Sequence, residues 1–259
     1  MRLTADYHTH TVFSHGKGTI YDNVRAAFDA GLKEIGITDH GFSHPAFGLR
    51  ARKIPVMRDL CTQAEKELGV KTYLGIESNV IGLDGATDLK EKRYDEFDLF
   101  LAGFHKFVLF RPTAFFKFFT PNMFTAYLKK DKPSLSLIKT NTKTFINVIK
   151  TRPVDAITHL NFYCFADVVE VAKAAADYGT YIELNAKKVH MTDEELYKVA
   201  NTDARFIISS DAHTAARVGE ISLVEKTLER VNIDKSRIDN IDGRIPKFRF
   251  AEFKGAAGR

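Results

Sequence analysis

The chain has no tryptophan, only two cysteines and no long apolar stretch free of charge. Cys61 and Cys164 stand far apart with no CxxC pattern. That argues against a disulfide framework and suits a reduced, cytoplasmic protein. Without a long apolar run, no transmembrane segment is expected. No signal peptide is expected either, because Met1 and Arg2 lead straight into an apparent strand. Acid is scarce in one region. Across residues 99–154 ten basic residues face a single acid, Asp131, so this segment carries +9, while the whole chain carries +5 and the remainder therefore −4. Anionic partners are expected to meet the chain there.

What is present is a regular alternation of strand and helix. Residues 3–7, 34–38, 71–76, 99–103, 156–158, 181–184 and 206–209 read as strands. Helices are expected after Thr19, which can cap with Asp22 three residues on, and over 55–68, 135–150, 165–178, 192–201 and 219–231. Seven strands alternating with helices point to an α/β fold with a parallel sheet. An open sheet and a closed barrel would give nearly the same string, so the choice rests on where the unusual residues fall. One domain is expected over 1–259, with an aromatic and basic insertion at about 106–134. A short basic tail, 244–259, alternates basic and aromatic residues, and its last five residues are expected to be disordered.

Seven of the nine histidines lie at or just past the C-terminal ends of these strands. Strand one yields His8 and His10, with His15 in the next loop. Later strands end in Asp39-His40, Ile76-Glu77, Phe104-His105, Thr158-His159 and Asp211-Ala212-His213. In a parallel α/β domain all these ends open on one face, where active sites are built. A lone histidine at a strand end is ordinarily a hydrogen-bonded loop residue. Six strand ends converging are a site. His8 and His10, two apart on a strand, project to the same side and can grip one ion. Catalytic metals take about four protein ligands or fewer. The seven imidazoles with Glu77 and Asp211 are therefore sized for two or three ions such as zinc, manganese or iron. His44 and His190 fall outside the pattern and read as surface or rim residues.

These motifs resemble the polymerase and histidinol phosphatase (PHP) family. The match is carried by Asp6-Tyr7-His8-Thr9-His10-Thr11, Ile37-Thr38-Asp39-His40, Gly75-Ile76-Glu77, Gly103-Phe104-His105, Thr158-His159 and Ser209-Ser210-Asp211-Ala212-His213. The resemblance covers roughly residues 1–235. It implies a distorted, TIM-like barrel of seven βα units holding three divalent ions at the C-terminal ends of the strands. His8, His10, Glu77 and Asp211 would hold the first ion. Glu77 would bridge to a second, completed by His105 and His159, and His15, His40 and His213 would hold the third. The implied activity is hydrolysis of a phosphate monoester, histidinol-phosphatase-like, by a metal-activated hydroxide, with Glu77, Asp211 and His213 as catalytic groups. The expected partner is a small phosphorylated metabolite.

Lys17, Lys106 and Arg217 sit beside ligand motifs and are candidates to grip phosphate, with Asn185 at the end of strand six. Asp39 is expected to orient a metal-bound imidazole. The segment 106–130 departs from the family pattern, with eight aromatic residues, five basic ones and no acid. Among its functional readings, a helical lid that steers an anionic substrate is favoured over a nucleic-acid or membrane contact. Two other activities compete. A C–N hydrolase of the amidohydrolase type also opens with HxH, but often places a bridging lysine where Glu77 stands. A nuclease on single-stranded nucleic acid is weakened by the lack of a polymerase region. Oligomeric state is not written in the sequence.

Overall fold

The computed structural model describes residues 1–127 and 133–258. Lys129, Lys130, Asp131 and Lys132, counted in the basic segment above, lie outside the described residues, as does Arg259. Seven parallel strands follow one another in sequence order. They are β1 (Ala5–Thr9), β2 (Glu34–Ile37), β3 (Lys71–Asn79), β4 (Leu99–Gly103), β5 (Ala156–Ile157), β6 (Tyr181–Asn185) and β7 (Phe206–Ser209). Between them run α1 (Ile20–Asp29), α2 (Ile54–Leu68), α3 (Pro112–Ala114), α4 (Thr120–Tyr127), α5 (Leu135–Thr151), α6 (Val168–Tyr178) and α7 (Asp193–Ala200). Two helices, α8 (Ser222–Arg230) and α9 (Arg249–Ala256), follow β7.

The sheet curls into a nearly closed barrel. Thr9 bridges Ala212 in parallel sense, and the His10 N–H donates to the Ala212 carbonyl at 2.8 Å. Lower down, Asn240 occupies the seam between β1 and β7. Its side-chain amide donates to the carbonyls of Ala5 and Ile208 at 2.8 and 2.6 Å, and its Oδ1 accepts the Ile208 N–H at 2.9 Å. A buried side chain thus does the pairing that a direct strand ladder would otherwise do.

The local signals act as expected. Thr19 and Asp22 form a reciprocal capping box on α1, and Thr192 and Glu195 form one on α7. Gly69 and Gly179 end α2 and α6 in the left-handed conformation. The first strand begins two residues later than expected, because Leu3 pairs antiparallel with Ile241 instead of joining the barrel.

Within the insertion, residues 112–127 form a helical run in which Phe115–Phe119 is π-helical. Phe118 is fully buried edge-on to Phe104, with ring centroids 5.2 Å apart, and Phe119 stacks on Phe110 at 4.8 Å. Phe116, Phe124 and Tyr127 stay exposed. Of the five last residues expected to be disordered, Gly255 and Ala256 are helical, since α9 reaches Ala256. It is anchored by Phe248, which enters the barrel interior with Ala5, Tyr7, Leu99, Leu101, Ala156, Tyr181 and Ile207. The Phe248 ring meets Tyr7 edge-on at 4.8 Å. Phe248 thereby forms the floor of the barrel, opposite the end where the histidines collect.

Candidate metal centre

Register explains how two neighbours on β1 both face inward. Asp6 pairs with Ile35 but Thr9 pairs with Ile37, so β1 carries one extra residue. Such a bulge re-aims a side chain. Tyr7 packs in the barrel interior while His8 still reaches the carboxylates of β3 and β6.

Glu77, at the upper end of β3, is the hub. Its Oε1 lies 3.2 Å from His8 Nε2, 3.1 Å from His105 Nε2 and 2.7 Å from His159 Nε2. Its Oε2 lies 3.5 Å from His10 Nε2 and 2.9 Å from His40 Nδ1. One carboxylate therefore faces five imidazoles. Asp211 closes the cluster from the β7 side, 3.3 Å from both His10 Nε2 and His213 Nδ1. His15 stands further out, its ring centroid 5.2 Å from His213 and 6.2 Å from His40. Three sets of donors converge tightly: His8, His10 and Asp211; His40, Glu77 and His105; and His10, His40 and His213. All nine candidate ligands thus lie in one neighbourhood, with His10 and His40 each shared between two sets.

The electrostatics leave this set ready to bind cations. Burial penalises the Glu77 carboxylate, but His105, His8 and His159 outweigh it and hold the pKa well below the usual range. Asp211 is likewise held low against burial, chiefly by His8 and His10. Burial keeps His10 neutral, with His40 adding to the effect, and lowers His15 and His40 as well. His8 is the exception: Glu77, Glu183 and Asp211 overcome its burial and raise it. Ionised carboxylates and neutral imidazoles are the protonation states that metals require. Several buried atoms here also lack a hydrogen-bond partner: Glu77 Oε2, His10 Nδ1, His105 Nδ1 and His159 Nδ1. Orphans of this kind are rare in packed interiors. Together with the donor chemistry, they fit divalent ions.

Around the cluster opens a cleft of about 1040 Å³, lined by His15, His40, His105, His159 and His213 with Lys106, Lys187 and Lys188 among others. Asn185 reaches it as expected, its amide donating to Glu183 Oε2 at 3.0 Å and Asp211 Oδ2 at 3.3 Å. Lys106 reaches it too, and His44 and His190 stand on its wall. Lys17 and Arg217 do not. Lys17 lines a separate shallow cleft beside α1, and Arg217 pairs with Glu220 at 2.9 Å. Proximity in sequence to a ligand motif did not carry direction in space.

Asp39 also has another task than the one expected. It accepts from the N–H and hydroxyl of Thr11 at 2.7 and 2.6 Å, and from the Ser14 hydroxyl. It therefore fixes the loop that follows β1 rather than an imidazole. The orienting carboxylate is Glu183, overlooked in the sequence, whose Oε1 is 2.6 Å from His8 Nδ1. An acid in the otherwise apolar run Tyr181-Ile182-Glu183-Leu184 was the available signal. Lys187, 3.4 Å from Asp211 Oδ1 and 3.1 Å from His213 Nδ1, carried no such signal.

The family model that matches the chain is the PHP domain, over residues 6–187. The chain belongs to the PHP family. A probable phosphatase of Thermoanaerobacter sp. is 29% identical over 96% of this chain and 95% of its own. A probable phosphatase of Tolumonas auensis is 31% identical over 95% of this chain and 92% of its own. Among solved structures, histidinol phosphate phosphatase from Lactococcus lactis, complexed with zinc, L-histidinol and phosphate, superposes with a TM-score of 0.59. It covers 90% of this chain and 95% of its own at 16% identity, a likeness of fold, and confirms the TIM-like barrel expected for this PHP chain.

Proposed function

We propose that this PHP protein is a phosphatase that hydrolyses a small phosphate monoester at a site for up to three divalent ions, zinc, manganese or iron. The observation that carries the reading is the Glu77 carboxylate facing five imidazoles. His8, His10, His15, His40, Glu77, His105, His159, Asp211 and His213 would hold the ions. When bound, such ions polarise phosphoryl oxygens and lower the pKa of water to near 7.

The chain's own groups prepare this chemistry. Glu77 and Asp211 concentrate negative charge where cations must sit. Glu183 fixes the tautomer of His8 by engaging Nδ1. Asn185 holds Asp211 and Glu183 in fixed orientation through its amide. Lys187, beside Asp211, offers an ammonium to a phosphoryl oxygen. His213 is partly exposed at the rim, where Lys187 sits 3.1 Å from its Nδ1 and helps to orient the ring. Hydrolysis breaks the ester P–O bond and releases an alcohol and inorganic phosphate.

The test is phosphate release from a generic phosphomonoester, by protein first stripped of metal and then supplied with manganese or zinc. His8→Ala serves as the control. Metal-dependent turnover absent from His8→Ala is expected. A metal-loaded protein that releases no phosphate would overturn the reading and turn attention to C–N substrates and single-stranded DNA.

A further inference from the structure

The cleft above the histidines is lopsided in charge. Lys106, Lys187 and Lys188 line it, and among the described residues its only carboxylates are Glu77 and Asp211, both turned to the imidazoles. Among the described residues Lys106 pairs with no acid: its Nζ sits 3.3 Å from the centroid of the Tyr163 ring. Lys188 lines the same cleft as that ring, its backbone N–H donating to Asn185 Oδ1 at 3.2 Å. The Tyr163 hydroxyl is held below its usual pKa first by Lys106 and also by Lys188, so both ammonium groups bear on one ring.

The walls are aromatic and lead outward from the ligands. The His159 ring lies 5.2 Å from Phe162, and Phe162 lies 4.6 Å from Tyr163. Phe47 leans on His15 at 4.5 Å. The two loops that carry the wall, after β4 and after β5, are conformationally unusual. Phe107, His159, Asn161 and Tyr163 all have positive φ, between 30° and 72°. Non-glycine residues keep such geometry where surrounding structure forces it, and these clusters favour functional sites.

We propose that the ester hydrolysed here carries two features beyond its phosphoryl group: a planar ring packed against Phe162, and a second anionic group held by Lys106 and Lys188. By the same logic it bears no ammonium group. The inference rests on the phosphatase reading above and narrows its substrate. An ammonium group in this cleft would meet like charges and find no free carboxylate. An anion there gains charge-assisted hydrogen bonds from two lysines. L-histidinol phosphate, with its amine, is therefore a poor match.

Two esters of nearly equal shape and opposite charge decide the matter: 4-carboxyphenyl phosphate and 4-(aminomethyl)phenyl phosphate, compared by kcat/KM on metal-loaded enzyme. The corresponding benzylphosphonates, which cannot be hydrolysed, are compared by calorimetric binding. The carboxylate is expected to win by tenfold or more in both assays. In Lys106→Gln/Lys188→Gln, and more weakly in Lys188→Gln alone, that ratio should fall below threefold. Equal ratios in the parent protein, or a preference for the amine, overturn the inference while leaving the phosphatase intact. Turnover of neither ester would instead sink the phosphatase reading, and the phosphonate affinities would still decide which charge the cleft prefers.

Discussion

His8 Nδ1 lies 2.6 Å from Glu183 Oε1 in a fully buried pair beneath the imidazole cluster. The other Glu183 oxygen accepts the His159 backbone N–H at 2.7 Å, so one carboxylate on β6 positions groups on β1 and β5 together. Glu183→Gln keeps the shape but puts an amide where three donors now meet an anion. It should weaken metal binding about 10–100-fold, as is usual for partners of ligating histidines. Metal titration followed by phosphate release would show it. Unchanged affinity would remove Glu183 from the site.

Glu77→Gln should be more severe, because it takes the only charge that faces five imidazoles. Phosphate release should drop by about 10³-fold or more, with less metal retained per chain by elemental analysis. Retention of full metal content would show that the imidazoles alone suffice.

Gly103 permits His159 to stand where it does. A methyl group on Gly103 would lie 2.7 Å from His159 Cε1 and would also strike the Thr158 hydroxyl. Gly103→Ala should therefore cut turnover about tenfold or more without replacing any ligand, since an ångström of misplacement can cost about a hundredfold. A crystal structure of the variant would locate the displaced ring.

Asn240→Ala would strip the seam between β1 and β7 of three hydrogen bonds. Buried backbone groups left unpaired should cost about 2–4 kcal/mol in all. Urea denaturation gives the number, and a loss below about 0.5 kcal/mol would mean the strands re-pair on their own.

Asp155 should give the fold a pH dependence. Burial pushes its carboxyl up to about 7, against the opposing pull of hydrogen bonds from the N–H groups of Phe100 and Phe250. The folded state therefore holds this proton more tightly than the unfolded chain does. The resulting stability is fully present below about pH 4 and is lost as pH rises through about 7, by roughly 4 kcal/mol. Asp155→Asn should flatten this part of the profile, at the loss of one backbone hydrogen bond. Denaturation midpoints at pH 5 and pH 8, parent against variant, check the sign.

The sequence was most legible where chemistry and periodicity coincide. Most strands are short apolar runs, and six of the seven end at or beside a ligand, so both barrel and histidine face could be read from His8, His40, Glu77, His105, His159 and His213. Direction was harder. Lys17 and Arg217 lie within four residues of a ligand, as Lys106 does, yet backbone turns send them elsewhere. Glu183 hid because an acid within a strand reads as an exposed position until the barrel interior is known. Phe115–Phe119 has no sequence rule that separates a π-helix from an α-helix; packing of Phe118 and Phe119 on Phe104 and Phe110 decides it.

Phe248 closes the barrel's floor from a position more than two hundred residues after Tyr7, the ring it meets. During synthesis the seven strands are all made before this ring emerges, so the newborn barrel stands with its lower mouth open to water. A segment made after every strand is thus the one that covers the barrel's lower interior.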